Sequence, residues 1–234
     1  MSGLEDFEIT RRWPAARPEA IQLYSARTPN GAKVAIMLEE TGLDFEAHHV
    51  SFADNDQESP EFLSLNPNNK IPAIIDPNGP GGAPLPLFES GAILIYLAEK
   101  TGMFLSAEPV ERLLTIQWLM WQMGGVGPMF GQFDYFVRYG GRGVADPLPR
   151  RRYVEEAIRL LEVLDDRLEG RDWVLGEYSI ADIAIAPWLN SMAQTEEALE
   201  LVEWEDLENV PAYLERFLAR PAVQRGLTIP QRPG

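Results

Sequence analysis

The 234-residue chain contains no cysteine. It has no disulfide framework, no thiolate to serve as nucleophile or metal ligand, and no sulfur of its own for thiol–disulfide exchange. Dithiol redox mechanisms, and every mechanism that runs through a protein cysteine, are thereby excluded. Histidine is nearly as scarce, His48 and His49 being the only two. As neighbours in an extended segment they point to opposite faces, so they cannot share a metal ion. With no cysteine beside them nothing supports a metal site, and a Ser-His-acid triad would have to run through one of these two strand residues.

Positive charge is also in short supply. Lys and Arg number 20 against 36 Asp and Glu, a formal charge of −16, with a pI near 4.5. Such a field repels nucleic acid and anionic membrane surfaces, and neither is expected as a partner. A small anion in a local cationic pocket is compatible with it, because screening takes over within ~8–10 Å. No apolar run approaches the ~18 residues of a transmembrane helix. Residues 1–20 carry charges and prolines where a secretory signal would be apolar, so a cytoplasmic location is expected. The remaining composition, 45% hydrophobic and 24% charged, is that of an ordinary globular protein.

Residues 1–20 show no period and read as an N-terminal extension, disordered or laid over a partner subunit. Residues 21–105 read as an α/β domain. Strands are expected at 22–26 and 45–52, joined by a helix over 31–40 that stops at Gly42, and a right-handed crossover makes them parallel. Short strands at 73–76 and 85–88 flank the turn cluster Pro77-Asn-Gly-Pro-Gly-Gly82 and suit an antiparallel hairpin. A helix over 90–101 closes at Gly102. The β-α-β and β-β-α halves together predict a four-stranded mixed sheet. From 106 to 234 strand signals stop and the chain reads as all-α. Helices are expected over 108–123, broken at Gly124-Gly-Val-Gly-Pro128 and resuming to 139, then over 150–169 with an amphipathic stripe. Further helices are expected after the capping box Ser179-Ile-Ala-Asp182 and over 211–219.

Three segments offer chemistry. In Lys70-Ile71-Pro72 a proline precedes a short strand, and the small trans preference of X–Pro bonds makes a cis peptide accessible. That geometry turns the Ile71 backbone outward to pair with an extended ligand; the plain alternative is a proline that starts an edge strand. Glu89-Ser90 opens a helix, where free N–H groups and the helix dipole suit an anion such as a carboxylate; the same pair is equally a simple cap. Thr28-Pro-Asn-Gly31 sits at a strand–helix turn with a hydroxyl and an amide near the helix start, and also fits a generic turn. Tyr24 and Ser25 compete with Thr28 as polar groups there, Tyr24 reading mainly as a core residue. The aromatics from Trp118 to Phe136 read as core or interface, and Gly124-Gly-Val-Gly127 lacks the context of a nucleotide-binding loop.

The order and spacing of these segments resemble the glutathione transferases over residues 21 to about 221. Thr28-Pro-Asn-Gly31, Pro60-Glu-Phe62, Asn66-Pro-Asn-Asn-Lys-Ile-Pro-Ala73, Leu87-Phe-Glu-Ser-Gly-Ala-Ile93 and Gln117-Trp118 through Gly124-Gly-Val-Gly-Pro-Met129 resemble the bacterial nu class, related to the yeast nitrogen-regulator type. The resemblance implies a thioredoxin-like N-terminal domain, an all-helical C-terminal domain and a homodimer. Thr28 and Asn30 would face the glutathione sulfur. Gln57 and Lys70 would contact the glycyl end, the Ile71 backbone the cysteinyl unit, and Glu89 with Ser90 the γ-glutamyl end. Gln132 and Arg152 match positions that help to hold glutathione or a second molecule of it. The implied activity is glutathione-dependent reduction of small-molecule disulfides, with peroxidase activity or conjugation of electrophiles beside it, glutathione being the co-substrate and no metal being required. A different class, a non-catalytic glutathione-binding regulator or scaffold, uses the same frame.

Overall fold

In a computed structural model, residues 3–231 are described. The chain forms two compact units. One comprises the residues up to Thr101 together with those from Pro221 onward, and the other spans Gly102–Arg220.

The first unit is built on β1 (Ile21–Ser25), α1 (Pro29–Thr41), β2 (Phe45–His49), α2 (Pro60–Leu65), β3 (Ala73–Asp76), β4 (Leu85–Phe88) and α3 (Ser90–Thr101). The sheet order is β2-β1-β3-β4. β1 runs parallel to β2 and antiparallel to β3, and β3 is antiparallel to β4, so the predicted mixed sheet is present. On one face Tyr24, Ala73 and Ile75 join Phe62 and Leu65 of α2 in a continuous core. Leu23 and Ile74 alternate with them, point to the other face and are fully buried. α1 packs against α3 and against α10 (Pro221–Gly226). Contact with α10 is close: a Cβ on Gly226 would lie 2.7 Å from the Ile36 Cα.

The first twenty residues differ from the sequence expectation. Two 3-10 turns, Leu4–Asp6 and Glu8–Arg11, fold back onto their own unit. Leu4 and Ile9 are buried in the Tyr24–Phe62 core, with Phe7 and Trp13 packed against it. The Trp13 ring meets Tyr24 and Phe62 edge-on at 6.0 and 6.5 Å, and its Nε1 donates to the His49 carbonyl at 3.1 Å. Short 3-10 turns carry these apolar residues at irregular intervals, which is why no period was visible. The six-residue α2 was likewise too short to show one.

The second unit contains α4 (Pro109–Trp121), α5 (Gly127–Val137), α6 (Pro147–Leu168), α7 (Ile180–Met192), α8 (Glu196–Leu201) and α9 (Val210–Leu218). Between α4 and α5 the expected break at Gly124-Gly-Val-Gly127 is instead a π-helical stretch over Gln122–Val126. α7 is the central helix, buried on nearly every side. It starts at the predicted capping box, where the buried Asp182 carboxylate accepts from the Val174 and Ser179 amides at 3.0 and 2.9 Å and from the Ser179 and Tyr213 hydroxyls at 3.0 and 3.2 Å. The last helical residues, expected to belong to the helical half, join the first unit instead, because α10 packs on α1. Among the described residues no helix is long and apolar enough to cross a membrane.

Candidate functional site

Strand register brings the sequence motifs of the first unit together. Ser25 lies opposite His49, Tyr24 opposite Ala73, and Ala73 opposite Phe88. One end of the sheet therefore gathers the exits of β1, β2 and β4 with the entry to β3. Thr28 and Asn30 follow β1, Gln57 follows β2, Lys70 and Ile71 precede β3, and Glu89 and Ser90 follow β4. All seven candidate residues of this unit thus emerge at the same end of the sheet.

Each is held by identifiable local structure. Thr28 is the N-cap of α1, its Oγ1 accepting from the Gly31 amide at 3.1 Å. Because the oxygen is the acceptor there, the hydroxyl proton is directed elsewhere. Asn30 lies in the first turn of α1, half-buried. Gly31 is obligatory in this turn, since a Cβ there would lie 2.1 Å from the Ala26 carbonyl oxygen and 2.5 Å from Ser25 Oγ. Gln57 sits in the 3-10 turn Asp56–Glu58 with its Oε1 buried and unpartnered, an acceptor that a ligand N–H would satisfy. Lys70 is exposed at the end of a loop shaped by the buried Asn66, whose amide donates to the Lys70 carbonyl at 2.6 Å and accepts from the Asn68 amide at 2.9 Å.

The Ile71–Pro72 peptide is cis. The β3 ladder begins only at Ala73, so Ile71 stands outside the paired residues of the sheet. Glu89 is exposed and adopts φ of 71°, a left-handed conformation that costs a non-glycine residue on the order of 1 kcal/mol. Such an outlier marks a residue whose position is set by something other than its own preference. It leads into Ser90, which is buried at the start of α3.

Two competing groups fall away. Tyr24 is fully buried, stacked on His48 at 4.8 Å, and burial together with the Glu46 charge pushes its hydroxyl well above the ordinary tyrosine range. It is a core residue. Ser25 is fully buried as well.

Lys33 belongs to none of the motifs that mark the site in the sequence. This α1 residue is 0% exposed, and its Nζ donates to Ser90 Oγ at 3.3 Å. Burial drives its pKa down to about 7, partly opposed by the Glu89 charge. The available signal was its place as the sole charge in the otherwise apolar run Gly31-Ala-Lys-Val-Ala-Ile-Met-Leu38.

Gln132 and Arg152 belong to the helical unit, on α5 and α6, and both are exposed. Among the described residues no cluster of potential metal ligands is present.

Two family models match the chain: the N-terminal domain of glutathione S-transferases over residues 19–99 and their C-terminal domain over residues 151–221. The disulfide-bond oxidoreductase YfcG of Escherichia coli (strain K12) is 49% identical over 209 residues, 88% of this chain and 94% of that protein. A glutathione transferase of Burkholderia graminis, solved with two glutathione molecules bound per subunit, is 60% identical with a TM-score of 0.97, covering 100% of this chain and 98% of that one. A glutathione transferase of Pseudomonas putida, solved with one glutathione disulfide per subunit, is also 60% identical, with a TM-score of 0.96 and coverage of 98% and 100%.

Proposed function

The chain belongs to the glutathione S-transferase family, and from that premise we propose a glutathione-dependent disulfide-bond reductase of the nu class in which both reacting thiols come from glutathione. The observation that carries this reading is the pairing of a cysteine-free chain with two bound glutathiones in a 60%-identical relative. A chain without sulfur nucleophiles reduces a disulfide only if a second small thiol completes the exchange. One glutathione thiolate attacks a disulfide sulfur, forming a mixed disulfide and expelling the first product thiolate. A second glutathione attacks the glutathione sulfur of that mixed disulfide, releasing the second product thiol and leaving glutathione disulfide.

The residues at the sheet end fit the tripeptide. Ser90 and the α3 amides suit the γ-glutamyl carboxylate, Glu89 its ammonium, the Ile71 backbone the cysteinyl unit, and Lys70 with Gln57 the glycyl end. Thr28 and Asn30 face the sulfur. A thiol with pKa near ~8.5 is only a few per cent ionised at neutral pH, and lowering it by about two units takes roughly 2.7 kcal/mol. Hydrogen bonds from a hydroxyl and an amide at a helix start supply stabilisation of that order. Neither group is a base at this pH, so their contribution is electrostatic. Gln132 and Arg152 are assigned to the second glutathione. Peroxide reduction and conjugation of electrophiles draw on the same thiolate.

The protein is further proposed to act as a homodimer in the cytoplasm. α4 carries an apolar stripe at helical spacing, with Val110 62%, Leu113 66% and Met120 48% exposed. A second copy is its proposed cover, and sedimentation showing only monomer at micromolar concentration would refute the dimer. The activity itself is tested by following reduction of hydroxyethyl disulfide with glutathione. Turnover supports the assignment; binding of glutathione without turnover of any disulfide, peroxide or electrophile returns the protein to the scaffold class.

A further inference from the structure

Lys33 has no part in the chemistry above, yet it is the one fully buried Lys or Arg among the described residues. A buried ammonium is expensive unless something requires it. Its Nζ lies 3.3 Å from Ser90 Oγ, on the inner side of the residue that opens α3. An ammonium has three donors and no acceptor. Its contact with Ser90 therefore occupies an oxygen lone pair and sends the hydroxyl proton away from Lys33. A neutral amine has a lone pair and would draw that proton inward.

We infer that Lys33 is a positioning residue for the anion held at Ser90: its ammonium turns the Ser90 hydroxyl outward to donate to the ligand carboxylate. Lys33 takes this role only if the γ-glutamyl carboxylate sits at Ser90, as proposed above.

α1 packs against α3 and α10. At the start of α3 the charged group acting on Lys33 is Glu89. Glu99 and Lys100 lie at the far end of α3, more than ~13 Å along the helix at 1.5 Å per residue, and Lys100 is paired with Asp76 at 2.8 Å. From α10, Arg225 is paired with Glu39 of α1 at 2.5 Å, six residues beyond Lys33. Beside α1, Arg27 is bonded to the Pro230 carbonyl at 2.9 Å. With Lys33 brought down to about 7 by burial, the ligand-free protein holds a mixture of charged and neutral Lys33 near neutrality. A carboxylate arriving at Ser90 selects the charged form.

Calorimetry with S-methylglutathione tests this, because the probe has no thiol proton to release. Titrations are run in two buffers of different ionisation enthalpy, on the wild type and on Lys33→Met, the variant supplying the uptake due to the ligand itself. Near pH 7 the wild type is expected to take up on the order of half a proton more than the variant. Its affinity should fall as pH rises above about 7, whereas the Lys33→Met affinity is flatter and roughly 10- to 100-fold weaker below it, the worth of one hydrogen bond between charged partners. Equal proton uptake in the two proteins, or Lys33→Met binding with wild-type affinity and slope, overturns the role of Lys33. If Lys33→Met does not fold, Lys33→Gln serves as the reference. Ser90→Ala and Glu89→Ala separate the two levels of inference. If both bind S-methylglutathione as the wild type does, the site itself is misplaced and Lys33 falls with it; if they weaken binding while wild-type proton uptake is absent, Lys33 alone falls.

Discussion

Arg12, in the N-terminal segment, pairs with Asp56, the residue immediately before Gln57 in the chain. Asp56 in turn accepts from the Ser51 amide at 2.9 Å, so the N-terminal segment braces the loop that follows β2. The Asp56 side chain is 10% exposed and that of Arg12 41%, which places the pair between a weak surface bridge and a costly buried one. Arg12→Ala is expected to raise the half-saturation for glutathione about two- to fivefold through Gln57 while leaving kcat near wild type. Steady-state kinetics read this directly, and a loss confined to kcat would contradict it.

Contacts to the sulfur and contacts to the ends of the tripeptide should separate kinetically. Asn30→Ala removes the group proposed to stabilise the reacting thiolate, so turnover should drop more than binding weakens. Glu89→Ala and Ser90→Ala remove the proposed ground-state anchors and should mainly raise the half-saturation, by roughly 10- to 100-fold for a charged contact. Parallel changes in both parameters across all three variants would reject the division.

Disulfide reduction should survive exhaustive alkylation of the enzyme, provided the reagent is removed before glutathione is added, because the chain has no thiol to lose. Mass spectrometry during turnover should show no protein–glutathione adduct. Arg152→Ala should slow disulfide reduction more than conjugation, which needs a single glutathione. A covalent adduct, or equal loss of both activities, would remove the two-glutathione scheme.

Lys33 also predicts a pH-dependent stability in the absence of ligand. Its proton dissociates near 10.5 in the unfolded chain and near 7 in the folded one. Between those values the unfolded state holds more protons, so stability rises with pH; below about 7 both states are protonated and the folded one bears the net cost of the buried charge. Lys33→Met should therefore melt above the wild type near pH 6, by roughly 2–5 kcal/mol in stability, with the gap closing towards pH 10. A variant less stable than the wild type throughout would show that the ammonium is fully compensated.

Asp182→Ala should destabilise the helical unit by about 3 kcal/mol or more, since it strands the Val174 and Ser179 amides and the Tyr213 hydroxyl in a buried setting. Chemical denaturation followed by tryptophan fluorescence would detect it; a change below about 1 kcal/mol would mean the donors find other partners.

Where local chemistry decides, the sequence was legible. The Pro77–Gly82 turn cluster located β3 and β4, and Ser179 with Asp182 located the start of α7, because turn and cap preferences act within a few residues. The positions of the candidate motifs on the fold were legible for the same reason, since each sits beside the end of a strand. Lys33 was not: it is buried on a helix that packs against α3 and α10, and α10 lies nearly two hundred residues away in sequence. Leu4, Ile9 and Trp13 were opaque in the same way, having neither a period nor a motif until the core they cover is known. At Gln122–Val126 the glycines signalled an irregularity correctly but not its kind, because a π-helical turn keeps the helix running.

The closure of α10 onto α1 has a consequence for biogenesis. The first unit is assembled from two separated stretches of chain, with Gly102–Arg220 inserted between them. A ribosome makes roughly 120 intervening residues after α3 before α10 exists, which at ~5–20 residues per second takes about 6–24 s. Throughout that interval the flank of α1 against which Gly226 finally rests has no cover, and the nascent N-terminal unit is a client for whatever binds apolar surface at the tunnel exit.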